Sequence, residues 1–240
     1  MNGGQAKIWA IIPAAGAGSR MHSERPKQYL KIGGEYVLSH TLRRLLTHPR
    51  IDGVMVVISP GDAYWHAWQP DFPKLMGITA GGAERAHSVL NGLHALRSHE
   101  QPQDSDWVLV HDAARPCLRH EDIDRLLDEV DDLQAGGILA SPVSDTIKQA
   151  DDHHRITATV PREDLWRAQT PQMFGLKALT HALENALLAE VAVTDEASAI
   201  EYAGGRPKLV RGHSDNIKIT LPGDLDLAAF IMRQQTENSS

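Results

Sequence analysis

The sequence contains little cysteine and no long apolar stretch, and each absence excludes a class of protein. With one cysteine, Cys117, the chain cannot form an internal disulfide, which favours a reducing compartment. Cys117 follows Pro116 and has no cysteine or histidine at metal-ligand spacing, so a structural role is expected. The apolar run near the N-terminus is too short for a signal peptide, and no segment is long enough to span a bilayer. We therefore expect a cytoplasmic protein that does not bind membranes.

The chain also lacks linkers, repeats and an excess of positive charge. No stretch rich in proline, glycine and serine divides the 240 residues, so one domain over residues 1–240 is expected. The formal net charge is −7 at pH 7, and a field of that sign repels nucleic acid. A small anion would have to bind where a few arginine and lysine side chains gather.

Several catalytic motifs are missing as well. The sequence has no Gly-x-Ser-x-Gly elbow, no Walker lysine motif and no His-Glu-x-x-His zinc motif. It offers no convincing pair of side chains for proton transfer. One chemistry needs no such pair, because a substrate phosphate is already anionic at neutral pH. Such a phosphate can attack phosphorus once it is aligned and its charge is neutralised.

Short apolar runs alternate with helical patterns along the chain. This alternation is typical of an α/β fold with a mostly parallel sheet, helices on both faces and ligands at the carboxyl edge of the strands. Strands are predicted at residues 8–13, 53–59, 75–80, 107–110, 137–143, 208–210 and 216–219. Helices are predicted at residues 37–46, 84–97, 123–133 and 176–188, after Thr194 and from Gly223.

Residues 144–160 interrupt this alternation and predict two short strands around a polar turn. An isolated hairpin has little stability in water, so it should pack against another surface. A second subunit and the hairpin's own domain are equally good candidates on this pattern alone. His153 and His154 in the turn lack metal-ligand spacing.

The strongest local signal is a glycine-rich turn at residues 13–21 (PAAGAGSRM), directly after the first strand and shortly before Lys27. Glycines allow backbone N–H groups to approach a phosphate closely, and Arg20 and Lys27 add positive charge. Met21 stands where a dinucleotide fingerprint requires its third glycine, which disfavours an NAD-dependent oxidoreductase. The alternative is a strand-to-helix turn that binds nothing.

Two further segments follow predicted strands. Residues 81–88 (GGAERAHS) combine paired glycines with Ser88 near a helix start, where a hydroxyl could bind a base, although a plain turn explains them equally well. Residues 111–116 (HDAARP) place Asp112 at the ligand edge of the sheet, and Arg115 could grip a phosphate. An internal Asp112–Arg115 ion pair is the alternative.

Polar residues near the C-terminus have ordinary structural explanations. Thr194, followed by two acids, fits a helix N-cap. Lys218 lies in a short apolar alternation and could be a solvated strand lysine. Thr194 and Lys218 therefore indicate a function only in combination with the other motifs.

Together, the segments resemble the 2-C-methyl-D-erythritol 4-phosphate cytidylyltransferase family of the non-mevalonate isoprenoid pathway. The resemblance runs through PAAGAGSRM, PKQYL, GGAERAHSV, VLVHDAARPCL, SDTIK, TDEASAIEY and NIKIT. It implies a Rossmann-like domain with a β-arm at about residues 144–161 that forms a homodimer. It also implies transfer of CMP from CTP to methylerythritol phosphate with release of pyrophosphate, and Mg²⁺ as cofactor.

The resemblance implies roles for individual residues. Four cations are implied in catalysis: Arg20, Lys27, Arg162 and Lys218. The CTP contacts implied are Ala14, Ala15, Gly16, Gly18, Ser19, Gly82, Ser88 and Asp112. The methylerythritol phosphate contacts implied are Asp112, Arg115, Thr146, Arg162 and Thr194, with Thr146 and Arg162 donated across the dimer. No residue is assigned as a metal ligand, because the CTP phosphates are expected to hold Mg²⁺.

Two positions depart from the family pattern, and other functions compete with the one implied. Ala83 and His87 stand where acidic residues are usual. If the side chain at position 83 helps to fix the base, CTP selectivity could be looser here; if only its main chain makes contact, little changes, and no effect is assigned to His87. The nearest alternative is a pentitol-phosphate cytidylyltransferase acting on ribitol 5-phosphate. A nucleotide-binding regulator without catalysis is a second alternative.

Overall fold

The computed structural model describes residues 6–16 and 25–237 and is built around one large β-sheet. A short 3₁₀ helix spans Lys27–Tyr29. The strands are β1 Ile8–Pro13, β2 Lys31–Ile32, β3 Glu35–Tyr36, β4 Gly53–Ile58, β5 Leu75–Ala80, β6 Trp107–Val110, β7 Gly137–Pro142, β8 Ile147–Ala150, β9 Ile156–Val160, β10 Trp166–Gly175 and β11 Lys208–Arg211. The helices are α1 Val37–Leu46, α2 Ala63–Trp68, α3 Arg85–Glu100, α4 His120–Glu129, α5 Leu176–Leu188, α6 Glu196–Tyr202 and α7 Gly223–Glu237.

Seven strands form the main sheet in the order β11-β7-β10-β6-β1-β4-β5. All neighbouring pairs are parallel except those of β10, which runs antiparallel to both β6 and β7. The prediction of a mostly parallel α/β sheet is confirmed. The sequence did not predict β10, because Pro171 and neighbouring glutamines interrupt its pattern and the register shifts between Ala168 and Gln172.

Helices cover both faces of the sheet, as predicted. Successive strand side chains point to opposite faces, so Ala10 and Ile12 pack on one side while Trp9 and Ile11 pack on the other. Apolar residues of α1, α2 and α4 bury the first face, and those of α3, α5 and α6 bury the second. Strand β4 is buried throughout, which explains its continuous apolar sequence.

Other differences concern short elements. The predicted strand at residues 216–219 is wrong: this segment forms no ladder, and the amide of Ile219 donates instead to the carbonyl of Ala114. Helix α2 was not predicted. The predicted hairpin is present as β8 and β9, which pair only with each other in a two-stranded sheet and expose most of their side chains.

The parallel strands bring three loops to one edge of the sheet. The loops after β1, β5 and β6 all leave from carboxyl ends, where the sequence places its polar motifs. In the stretches 6–16 and 25–237, no helix has the length and apolar character needed to cross a membrane.

Candidate active site

A cleft of about 220 Å³ lies at the carboxyl edge of the sheet, between the three loops. It contains eight of the residues to which the family resemblance assigns a role in catalysis or binding. Its lining is Pro13, Ala14, Ala15, Gly16, Lys27, Gln28, Gly82, Ala83, Glu84, Arg85, Ser88, Asp112, Ala113, Ala114 and Lys218.

The loop after β1 is fixed through its carbonyl groups. The buried Gln28 donates from Nε2 to the carbonyls of Ala14 (2.7 Å) and Gly16 (3.3 Å). Ser59 Oγ donates to the carbonyl of Ala15 at 2.8 Å. With these carbonyls engaged from behind, the loop keeps a defined shape at the cleft. Lys27, beside Gln28, donates from Nζ to the carbonyl of Ile219 at 3.1 Å.

The loop after β5 packs directly on the loop after β1. A Cβ atom on Gly81 would lie 2.4 Å from the Cβ of Ala15, so only glycine permits this approach. The hydroxyl of Ser88 accepts from the amide of Gly82 (3.1 Å) and donates to the carbonyl of Glu84 (3.1 Å). Ser88 therefore closes the loop that forms this wall of the cleft.

A cluster of charges forms the floor of the cleft. Asp112, 7% exposed, lies 2.8 Å from Lys218 Nζ, 3.2 Å from Arg85 Nη2 and 3.4 Å from Arg115 Nε. Arg85 also forms a two-pronged ion pair with Glu196, which is 1% exposed. Arg115 donates from Nη1 to the carbonyl of Asn216 at 2.7 Å. Three cations thus share one cleft carboxylate.

These cations keep Asp112 ionised. Burial by itself raises the pKa of a carboxyl, but Arg85, Lys218 and Arg115 outweigh this effect and hold the pKa of Asp112 well below its usual range. Asp112 is therefore a carboxylate at any pH at which the protein functions. Its negative charge positions the cations without cancelling all of them.

Behind Asp112, a buried histidine aligns the loop after β6. His111 is fully buried; its Nδ1 lies 2.9 Å from Thr170 Oγ1, and its Nε2 lies 3.1 Å from the carbonyl of Arg115. Thr170 Oγ1 accepts the amide of Asp112 at 3.0 Å, so its own proton is available for Nδ1. Burial lowers the pKa of His111 to about 4, and the neutral ring with a proton on Nε2 satisfies every bond. We assign His111 a structural role.

The remaining predicted residues lie outside the cleft or outside the described residues. Gly18, Ser19 and Arg20 fall in the undescribed stretch. Thr146 and Arg162 are exposed at the base of the hairpin, where Arg162 donates to the carbonyl of Ser144. Arg115 is not part of the cleft lining, but its guanidinium forms an ion pair with Asp112, which is.

Thr194 is exposed and precedes α6, but the residue that caps this helix is the next one, Asp195. Asp195 is the N-cap and forms a capping box with Ser198, so the expectation that Thr194 itself caps the helix is wrong. Asp195 also accepts from Gln172 Nε2 at 2.8 Å. The two acids after Thr194 therefore differ in role, because Asp195 caps the helix and Glu196 holds Arg85.

Sequence reasoning missed three polar residues of this site: Gln28, Arg85 and Glu196. Each lies within a motif that the sequence analysis quotes, but no role is assigned to it there. Gln28 follows Pro-Lys, Arg85 lies within GGAERAHS, and Glu196 is interpreted as an ordinary acid of a first helical turn. The signal for Arg85 and Glu196 is tertiary, since the pair joins positions 111 residues apart.

The described residues contain no group of three or more histidine, cysteine, aspartate and glutamate side chains that could hold a metal ion. The carboxylates that line the cleft are Glu84 and Asp112, and both oxygens of Asp112 are engaged by cations. Asp112 therefore has no oxygen left over for a metal ion, and a metal ion in this cleft would have to be bound by the anionic ligand itself.

Comparison with known proteins identifies a family that matches most of the chain. Residues 8–234 match the family model of 2-C-methyl-D-erythritol 4-phosphate cytidylyltransferase (IspD). Enzymes of that name are 54% identical in Azoarcus sp. (strain BH72), over 95% of both chains, and 53% identical in Pseudomonas putida, over 91% of this chain and 93% of the other.

Solved structures show the same fold. A crystal structure of 4-diphosphocytidyl-2C-methyl-D-erythritol synthase is 40% identical, with a TM-score of 0.82 over 95% of this chain and all of the other. The Francisella tularensis cytidylyltransferase is 35% identical, with a TM-score of 0.79 over 94% of this chain and 100% of the other. By sequence and by fold, this chain belongs to the 2-C-methyl-D-erythritol 4-phosphate cytidylyltransferase family.

Proposed function

We propose that this chain transfers CMP from CTP to 2-C-methyl-D-erythritol 4-phosphate, giving CDP-methylerythritol and pyrophosphate for isoprenoid precursor synthesis. The observation that carries the proposal is the cleft itself. Lys218, Arg85 and Arg115 gather around Asp112 beside a glycine-containing loop, in a chain whose net charge is −7. A cationic site of this kind in an acidic molecule suits two anionic substrates that must react with each other.

The reaction is an in-line displacement. A phosphate oxygen of methylerythritol phosphate attacks the α-phosphorus of CTP, and pyrophosphate leaves from the opposite side. Lys27 and Lys218, which both line the cleft, neutralise charge on the triphosphate and on the transition state, and we assign Arg20 the same role. The attacking phosphate needs no general base.

The nucleotide is proposed to bind where the first two loops meet. Ala14, Ala15 and Gly16 leave room for cytidine opposite Gly82. Ser88 supports that wall, and Gly18 and Ser19 are assigned to the triphosphate. Asp112 is placed to contact ribose or the second substrate.

The second substrate is proposed to bind between two subunits. We assign Arg115 and Thr194 to the substrate site of their own subunit. Thr146 and Arg162 lie at the hairpin and are not part of the cleft lining of their own subunit. A homodimer in which β8 and β9 reach the neighbouring subunit would bring these two side chains to the substrate phosphate. The exposure of both hairpin faces supports this arrangement.

Mg²⁺ is the proposed cofactor, and the triphosphate oxygens are its proposed ligands. The cleft fits this assignment, because its buried carboxylate, Asp112, is occupied by cations and Mg²⁺ favours phosphate and water oxygens. When bound, the ion neutralises charge on the phosphates of CTP. We further propose that the chain acts as one nucleotidyltransferase domain in the cytoplasm, without nucleic acid or membrane partners.

A pyrophosphate-release assay tests the proposal. The purified chain is supplied with Mg²⁺ and with CTP, ATP, GTP or UTP, each paired with methylerythritol phosphate or ribitol 5-phosphate. We expect release only with CTP and methylerythritol phosphate. A preference for ribitol 5-phosphate would move the chain to the pentitol-phosphate class. CTP binding without turnover on either sugar would identify a regulator, and NAD binding would indicate an oxidoreductase.

A further inference from the structure

A second cavity lies away from the cleft, where α1, α4 and α7 meet. Its volume is about 610 Å³, within the range of small-molecule sites. Its charged lining consists of Arg43, Arg44, Arg119, Arg233, His40, His120 and Glu121. We call it the α1–α4–α7 cavity. It shares no lining residue with the cleft.

The charge of this cavity is unusual for the molecule. Four arginines face one carboxylate, that of Glu121, in a chain with a net charge of −7. Arg43 and Arg119 are paired with acids outside the lining, Glu35 and Asp215, both at 2.5 Å. The other two arginines of the lining, Arg44 and Arg233, are not paired in this way.

Arg44 and Arg233 form no ion pair with any residue in the described part of the chain. Arg44 is held in place by neutral acceptors: its Nη2 donates to Gln235 Oε1 at 2.7 Å, and its Nε donates to the carbonyl of Pro116 at 3.3 Å. Burial, and then the nearby Arg119 and Arg43, lower the pKa of Arg44. In the described residues, the positive charge of Arg44 is thus held by neutral acceptors, with Asp215 near enough to interact with it without forming an ion pair.

Helix α4 adds to this preference for anions. It begins at the cavity with Arg119 as N-cap, and no side chain caps its first turn. The amides of His120 and Glu121 therefore stand at the positive end of the helix dipole, beside the arginines. The carbonyl end of α1 and the Glu121 carboxylate oppose this effect. Glu35 and Asp215 offset Arg43 and Arg119, so the excess positive charge comes from Arg44 and Arg233.

We propose that the α1–α4–α7 cavity binds a phosphorylated small molecule at a site separate from the active site. The phosphate lies between Arg44 and Arg233, near the first turn of α4, in a cavity that Arg43 and Arg119 also line. A concave site of this size in an acidic molecule favours a small metabolite over a nucleic acid, because the overall field repels long polyanions.

Amide NMR can test this site without interference from the cleft. Inorganic phosphate and pyrophosphate are titrated separately into the full-length protein at low ionic strength, where screening is weakest. We expect the amide shifts of His120 and Glu121 to saturate with at least one of the anions. The amides of Gly16 and Gly82 report on the cleft separately, so anion binding there cannot be mistaken for binding in the cavity.

Variants make the result specific. Arg233→Glu and Arg43→Glu should each weaken the saturation at His120 and Glu121 about tenfold or more, as expected for loss of a charged hydrogen-bond donor. Arg206→Glu, an exposed arginine elsewhere, should leave it unchanged. Linear drift of these two amides with both anions would overturn the proposal. So would equal affinity in the Arg233→Glu and Arg206→Glu proteins.

Discussion

At the scale of single residues, Lys218 shows how a weak sequence signal becomes a strong structural one. In the sequence it sits between two isoleucines, which also fits a solvated strand lysine. In the structure its ammonium lies 2.8 Å from the buried carboxylate of Asp112 and lines the cleft. The pairing with Asp112 fixes the lysine in the cleft, where we propose that negative charge develops during the reaction.

We therefore expect Lys218→Ala to lower kcat about a hundredfold to a thousandfold, since one preorganised charge at the reacting centre is lost. Steady-state pyrophosphate release measures this. The matched control is Lys208→Ala, an exposed lysine of β11 that lies 3.6 Å from Glu129 on the surface, and it should retain parental activity. A Lys218→Ala enzyme with a near-parental kcat would contradict the assignment.

Arg85 contributes to stability as well as to the cleft. Arg85→Met would leave Glu196, which is 1% exposed, without its counter-ion. An unpaired buried charge is costly, so the free energy of unfolding should fall by about 3 kcal/mol. Urea unfolding followed by circular dichroism measures the change.

Two further variants separate the buried pair from a general effect of losing an arginine. Arg85→Met combined with Glu196→Gln should recover much of the loss, because the buried charge is then gone as well. Arg97→Met, in the same helix but paired with the exposed Asp104, should change stability little. If Arg85→Met is as stable as Arg97→Met, the buried pair does not stabilise the fold as argued.

At the scale of elements, the hairpin of β8 and β9 forms no ladder with the main sheet. Its ends are close, since the amide of Val143 donates to the carbonyl of Leu165 at 3.0 Å. Replacing residues 146–161 with a short glycine-serine linker should therefore leave the main sheet folded. We expect a monomer by light scattering, a Tm near that of the parent, and loss of turnover.

A single substitution in the hairpin tests its role in dimer formation without removing the element. Ile156 is 66% exposed on β9, and Ile156→Asp should shift the monomer–dimer equilibrium towards monomer in sedimentation experiments. Leu188→Asp is the control, because Leu188 is 86% exposed at the end of α5, away from the hairpin. A dimer that survives removal of the hairpin would show that another surface joins the subunits.

The elements also show where sequence patterns stop being informative. Fully buried parallel strands such as β4 have continuous apolar sequences, so they were predicted nearly to the residue. Strand β10 was missed, because its ladder is interrupted where Gln169, Thr170 and Pro171 lie. Those residues serve other needs: Thr170 holds His111 and the amide of Asp112, and Gln169 donates to the carbonyl of His213.

At the scale of the whole molecule, stability should depend on pH through His111. Its pKa is about 4 in the folded chain against 6.5 when exposed, so between these values only the unfolded chain binds the proton. The contribution is complete above pH 6.5, is lost as pH falls towards about 4, and is then constant. Its full size is about 3 kcal/mol.

The measurement is the free energy of unfolding in urea between pH 4 and 7. His111→Gln removes the titrating ring, so its curve should be shallower than the parent's by up to one proton in this window. Parallel curves for the parent and the His111→Gln protein would refute the prediction.

The sequence by itself determined the α/β class, the order of most elements, the three loops at the ligand edge and the family. These properties rest on local patterns: apolar runs set strands, spacing sets helices, and parallel strands bring their carboxyl ends to one edge. Tertiary structure alone decided that Arg85 joins Asp112 to Glu196, that Gln28 fixes the first loop, and that four arginines surround a second cavity. Such contacts join residues distant in sequence, and their energies depend on burial and distance, which no local pattern specifies.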